Sequence, residues 1–272
     1  MEDSVCTTGS MENMAGERMA SILGSCQRAW INANLATMDP SVNTPYGLLT
    51  NHALGIKDQK IAAILPMEQA ELEDFSGEII DAEGACITPG LIDSHTHLIW
   101  GGNRAAEHEL RMKGASYQEI ARSGGGILAT VQATRARSED QLFLEAVPRL
   151  EALLREGVTT LEIKSGYGLE IEEELKMLRV ASRLEESWPV RIRKTLLAAH
   201  AIPPEFGDDP DSYITMICDE LIPRTADECL ADAVDVFCED IAFTIEQSQR
   251  VFQAARKAGL GIKIHAEQLT HT

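Results

Sequence analysis

From Pro89 onward the sequence alternates between short apolar runs and amphipathic, helix-like stretches, and this rhythm restricts the fold more than any other feature. The run "LIDSHTHLIW" (91–100) reads as a strand. Ser138-Glu-Asp-Gln141 then has the form of a capping box, opening a helix whose apolar residues Leu142, Ala146, Leu150, Leu153 and Leu154 keep helical spacing. Gly157 is placed to stop it. "VTTLEIKSGYG" is the next strand and its following loop, and "IEEELKMLRVASRLEE" a helix with Ile171, Leu175, Leu178 and Leu184 on one stripe. "VRIRKTLLAAH" is a third strand, "SYITMICDELI" a helix and "AVDVFCE" a fourth strand. A second capping box, Thr244-Ile-Glu-Gln247, opens a helix running to Ala258, and "GIKIHAEQ" is a fifth strand. Such alternation means parallel βα units. Without a nucleotide-type glycine fingerprint after the first strand, a (β/α) barrel is favoured over a Rossmann sheet. Eight strands close such a barrel. Residues 89–272 are therefore expected to form the first five βα units of one, and so to be a fragment of it.

Before Pro89 the pattern differs. Residues 1–24 are polar and rich in Met, Gly and Ser, and are expected to be a disordered extension. Residues 25–88 hold short β-like pieces, "AWINANLATM" and "ALGIKDQKIAAILP", with Lys57-Asp58-Gln59 as a hairpin turn. A small β module is expected there.

Composition excludes some function classes. A formal charge of −19 argues against a nucleic-acid binder, which needs a basic face. No run approaches the roughly 18 apolar residues of a membrane span, and the N-terminus lacks the pattern of a secretory signal. The six cysteines are scattered without a CxxC pair, which suits reduced thiols in a cytoplasm.

The histidines carry the chemical signal. His95 and His97 stand two apart in the first strand, so both side chains point one way, with Cα atoms roughly 7 Å apart. Neutral imidazoles at that spacing can converge on one divalent ion at the C-terminal end of a barrel strand. The alternative, two surface histidines on an edge strand, fits poorly with the flanking Leu91, Ile92, Leu98, Ile99 and Trp100. His265, late in the fifth strand, is expected to be a third ligand. His200 ends the third strand without a same-face partner and reads as a hydrogen-bond donor or electrophile beside the metal. His52, His108 and His271 read as surface residues. Arg104, just after the first strand, could clamp a carboxylate, or be a solvated loop charge. Tyr167 sits between two glycines at the same mouth, and "SGGGI" (123–127) is either a ligand-adapting loop or a plain linker.

These stretches resemble the amidohydrolase superfamily, whose "PGLIDxHxH" signature stands here as "PGLIDSHTH" (89–97) after a small β-sandwich segment. Within it they resemble the imidazolonepropionase family. The blocks are "GGNRAAEHELRMKGASYQEIARSGGGI" (101–127), "EGVTTLEIKSGYGL" (156–169), "LLAAHAIPPEF" (196–206), "DAVDVFCE" (232–239) and "KIHAEQL" (263–269). The resemblance implies His95, His97 and His265 as ligands of one zinc or iron ion, with Arg104, Tyr167, His200 and Gln268 contacting substrate. It implies hydrolysis of the ring amide of 4-imidazolone-5-propanoate, an anionic small molecule, to N-formimidoyl-L-glutamate in histidine degradation, by a homodimer when complete. The absence of lysine from "VDVFCE" agrees with a mononuclear site. In the family an aspartate ligand and general base comes from an eighth strand, and a further histidine follows the sixth. On that ground this chain is expected to be inactive or impaired alone, and aggregation-prone through open sheet edges. Two other readings stay open: a different amidohydrolase acting on a cyclic imide or nucleobase, and a non-catalytic metal-binding fragment. Arg104 with Tyr167 favours a carboxylate-tailed substrate over the former.

Overall fold

The computed structural model describes residues 19, 21–73, 75–114, 125–207 and 209–271. Most of the stretch 1–24, and Ser123 and Gly124 of the glycine-rich 123–127, lie outside them. The chain divides into two compact units, Met1–Pro89 and Gly90–Thr272.

In the first unit five strands, β1 (Arg28–Ala36), β2 (Leu48–Lys57), β3 (Lys60–Pro66), β4 (Glu78–Asp81) and β5 (Cys86–Ile87), make one mixed sheet. The order is β3-β2-β1-β4, with β5 also alongside β1. Lys57 pairs with Lys60 across a two-residue turn. Asp58 and Gln59 both have positive φ, 49° and 60°, which is the twist-matched hairpin geometry read from the sequence. Alternation along the strands buries Ala29, Ala53, Ala63 and Leu65 with Leu23 in one cluster, and Ala33, Leu35 and Leu54 in another. The expected sandwich segment is thus a single sheet among the described residues. His52, expected at the surface, is half-buried inside β2.

The second unit is α/β, as expected. β6 (Leu91–Thr96), β7 (Val158–Lys164), β8 (Arg191–Ala199), β9 (Ala233–Val236) and β10 (Gly261–Ile262) form a parallel sheet in sequential order. The helices are α1 (Ala105–Met112), α2 (Ile127–Arg135), α3 (Glu139–Arg155) and α4 (Ile171–Ser187), followed by α5 (Pro210–Met216), α6 (Ile222–Asp227) and α7 (Ile245–Lys257). Both capping boxes are present: Ser138 accepts from Gln141 N and Thr244 from Gln247 N, and each glutamine side chain bonds back to the cap. "SYITMICDELI" is part of a longer run that starts at Pro210 and passes through a π turn, Ile217–Leu221, between α5 and α6.

Helices cover one face of this sheet. Leu142, Ala146 and Leu150 of α3 and Met177, Ala181 and Leu184 of α4 pack on Leu161, Ile163 and Ile192. Leu175, Tyr213, Ile217, Leu221 and Val251 pack on Leu196, Val234 and Val236. Period-two alternation sends Glu162, Lys164, Thr195 and Asp235 to the opposite face, where all four are nonetheless buried.

Two expectations change at the sheet margins. β6, read as a buried strand, is an edge strand with Leu91 52% and Ile92 71% exposed. The fifth strand is only two residues long, and His265 lies beyond it in an isolated bridge to Phe237. The physical reason is shared: each has a hydrogen-bonding neighbour on one side only, so its apolar side chains face solvent. That exposure of edges is what the five-strand count implied.

Candidate metal and substrate site

The C-terminal ends of the strands gather most of the residues singled out in the sequence. His95 is on β6 and His97 one residue past its end. The bridge from Phe237 to His265, with Cys238 N donating to His265 O at 2.8 Å and His265 N to Val236 O at 2.8 Å, brings the third histidine to the same level. The Nε2 atoms of His95 and His265 are 3.1 Å apart, with ring centroids 4.7 Å apart and nearly perpendicular. Two ring nitrogens on one tetrahedral ion, bonded at roughly 2.0–2.1 Å, lie about 3.3 Å apart. That pair therefore stands close to ligand spacing.

His97 is placed differently. Its ring stacks on His200, centroids 5.2 Å apart and 19° between planes, and sits 5.9 Å from the His95 ring. Its Nδ1 is buried without a hydrogen-bond partner. Burial, reinforced by the neighbouring His200 and His95 rings, pushes its pKa down to about 3. Burial also lowers the pKa of His95 and His200. Neutral imidazoles are the form that binds metal. Among the described residues, however, no three His, Cys, Asp or Glu side chains gather as a metal cluster. The donor chemistry suits a divalent ion, and the geometry has two of the three rings in place.

Under the histidines lies a charge network the sequence reading missed. Lys164 Nζ is 2.7 Å from Asp235 Oδ2 and 3.0 Å from Glu162 Oε1, and all three side chains are at most 4% exposed. Thr195 Oγ1 donates to Glu162 Oε1 at 2.5 Å, and Lys263 Nζ pairs with the same oxygen. Asp235 Oδ2 is also 2.9 Å from His265 Nδ1, although that nitrogen is not aligned for a hydrogen bond. Two carboxylates and two ammonium groups balance, which makes burial tolerable. The signal was available: Glu162 and Lys164 are two apart in an apolar run, as are His95 and His97. A cleft of about 310 Å³ opens above the network, lined also by Ser94, His95, His265 and Gln268.

Tyr167 and His200 flank His97. Their ring centroids are 5.6 Å apart, and Tyr167 is 5.3 Å from His97. His200 Nδ1 is 2.9 Å from Gly166 O. A carbonyl only accepts, so Nδ1 carries the proton and the neutral ring presents Nε2 as an acceptor. The donor role expected for His200 requires a doubly protonated ring. Gly166 has φ +105°, and a Cβ there would come within 2.8 Å of His200 Nδ1. Only glycine permits this approach.

Arg104 immediately precedes α1, its Nη2 2.6 Å from Glu107 Oε2; burial raises the pKa of Tyr167, and the Arg104 charge offsets only part of that rise. Arg149 holds the segment leading there: its Nη1 donates to Leu98 O and Trp100 O, and its guanidinium lies 3.5 Å over the Trp100 ring. Gln268 is set by buried Glu239, whose carboxylate accepts from the backbone N–H of Gln268, Leu269 and Thr270. His108 and His271 are exposed, as expected.

Comparison with known proteins gives similarity at two levels, the broader one first. Residues 78–156 match the family model described as "Amidohydrolase family". The solved 5-methylcytosine deaminase of Klebsiella pneumoniae shares this fold with a TM-score of 0.59 at 18% identity, covering 88% of this chain and 51% of that one. N-isopropylammelide isopropylaminohydrolase of Burkholderia multivorans does so at 0.56 and 17%, covering 89% and 53%. More specifically, the sequence is similar to imidazolonepropionases. It is 58% identical over 241 residues to that of Hahella chejuensis, covering 89% of this chain and 60% of the relative. Identity is 56% over 247 residues to that of Aeromonas salmonicida, covering 91% and 60%. The family resemblance carried by the motifs thus extends along nine-tenths of the chain. The chain spans about 60% of the length of these relatives.

Proposed function

We propose that the chain carries the metal- and substrate-binding part of an imidazolonepropionase, acting on the ring amide of 4-imidazolone-5-propanoate to give N-formimidoyl-L-glutamate. In this reading the parallel sheet is the first five βα units of a (β/α)8 barrel, and the first unit contributes to a β-sandwich. The observation that carries it is the His95–His265 Nε2 pair at 3.1 Å, with His97 nearby in contact with Tyr167 and His200. Identity of 58% and 56% to imidazolonepropionases over about nine-tenths of the chain supports the specific substrate.

His95 and His265, joined by His97, would hold one zinc or iron ion. When bound, such an ion supplies Lewis acidity toward water and the ring carbonyl. The chain's own residues do the rest. Arg104 and Tyr167 hold the propanoate tail, fixing the ring and removing orientational freedom before reaction. His200, with Nδ1 committed to Gly166, turns Nε2 to the substrate ring, where it accepts a proton and returns it. Gln268 supplies a side-chain amide at the cleft. A cytoplasmic homodimer is proposed on the family resemblance alone; among the described residues no helix is long and apolar enough to cross a membrane.

The test is direct. Full-length protein loaded with zinc or iron is mixed with imidazolone propanoate, and loss of the substrate's ultraviolet absorbance is followed together with formation of formimidoylglutamate. Turnover that disappears on chelation supports the reading. A metal-loaded, folded protein that binds no imidazolone propanoate overturns it.

A further inference from the structure

The loop 165–170 serves the site twice. It carries Tyr167, and Gly166 O holds His200 Nδ1. Its backbone is not one that relaxes into place by itself: Gly166 has φ +105°, and Leu169, a fully buried non-glycine, has φ +55°. Left-handed backbone at leucine persists only where neighbours over-determine it.

The loop's N–H groups turn inward onto one carboxylate. Glu174, in the first turn of α4 and 0% exposed, accepts from Gly168 N at 2.7 Å and Leu169 N at 2.8 Å through Oε1, and from Gly166 N at 3.0 Å through Oε2. The Ser165 hydroxyl adds a further bond. From the other side Arg135 Nε donates to Gly168 O at 2.6 Å, while its Nη1 meets Glu170 and Glu205, each at 2.7 Å. A carboxylate is a costly group with which to fill a core position. Nor is this one a helix cap, since Glu170 holds the N-cap position. Its hydrogen bonds all go to the loop that bears Tyr167.

We infer that Glu174, assisted by Arg135, is a positioning residue that fixes Tyr167 and His200 relative to each other. The inference deepens the proposed function and rests on those two side chains meeting the substrate. Neither Glu174 nor Arg135 touches the reacting atoms. Glu174 acts through loop N–H groups and Arg135 through the Gly168 carbonyl.

The experiment compares full-length wild type with Glu174→Gln, Tyr167→Phe, their double variant and Arg135→Lys. Glu174→Gln keeps the shape but replaces one acceptor oxygen with a donor. On imidazolone propanoate it is expected to raise KM about tenfold, and the double variant to fall short of the product of the two single effects, because both changes act in part through the Tyr167 contact. Nitrogen NMR of the His200 ring is expected to report a changed Nδ1 hydrogen bond in Glu174→Gln and Arg135→Lys. A KM within about twofold of wild type, or multiplicative effects in the double variant, overturns the inference. So does a His200 signal that stays put in both single variants. The NMR arm needs no turnover, so it judges this inference even if wild type proves inert on the substrate, which would sink only the proposed function. Should Glu174→Gln fail to fold, Arg135→Lys, at the more accessible end of the same clamp, carries both readouts.

Discussion

His95 and His265 come from opposite edges of a five-stranded sheet, yet their Nε2 atoms stand 3.1 Å apart, while His97, only two residues from His95, stacks on His200 instead. Strand curvature thus brings distant histidines together more closely than the HxH spacing does.

Metal occupancy should follow that asymmetry. His95→Ala and His265→Ala are expected to lower zinc affinity by more than the roughly 10- to 100-fold typical of losing an outer-shell partner. His97→Ala should cost less than either. Metal content after dialysis against graded chelator measures the order, and equal losses at all three positions would show that His97 is already a full ligand.

Lys164 is the pivot of the buried charges. Lys164→Met strands Asp235 and Glu162 with one cation fewer, although Val236 N still donates to Asp235, and Lys263 and Thr195 still serve Glu162. Breaking one partner of a buried pair costs about 3–5 kcal/mol, and these remaining donors place the expectation at about 3. Urea unfolding reads it. A double variant, Lys164→Met with Asp235→Leu, should lose less than the sum, since the second change removes the charge the first left unpaired.

These features differed in how readable they were. Both capping boxes, the Asp58–Gln59 turn and the βα rhythm were legible because each is set by local chemistry within a few residues. The edge position of β6 was not. Apolar flanks such as Leu91 and Ile92 suggest burial, but burial depends on a neighbour on each side, which local sequence does not reveal. Likewise Glu174 looks like any acidic residue of a helix's first turn. Its role depends on Gly166, Gly168 and Leu169 curling back over α4, a tertiary arrangement that outweighs its local character.

Arg104 offers a kinetic test. Its guanidinium already bonds Glu107, which also accepts from Gly126 N, so Glu107 keeps a partner when Arg104 is lost. Arg104→Met in the full-length protein is expected to raise KM for imidazolone propanoate with kcat little changed. A charge-assisted hydrogen bond of about 1.5–3 kcal/mol corresponds to roughly 10- to 150-fold. A fall in kcat at unchanged KM would move Arg104 from the tail to the reacting ring.

Glu174 also predicts a pH dependence of stability. Burial raises its pKa above the ordinary carboxylate value, and the Ser165 hydroxyl and loop N–H groups offset this only in part. The folded state therefore takes up this proton more readily than the unfolded chain. The resulting contribution is fully present below the unfolded carboxylate pKa, near about 4.3, and is lost as pH rises through the higher folded value. Glutamine does not titrate, so Glu174→Gln lacks this slope. The unfolding free energy of wild type minus that of Glu174→Gln should consequently fall as pH rises above the unfolded carboxylate value. Urea midpoints for both proteins at matched ionic strength give the difference directly. A difference that grows toward alkaline pH would mean that the N–H groups of Gly166, Gly168 and Leu169 stabilise the anion more than burial penalises it.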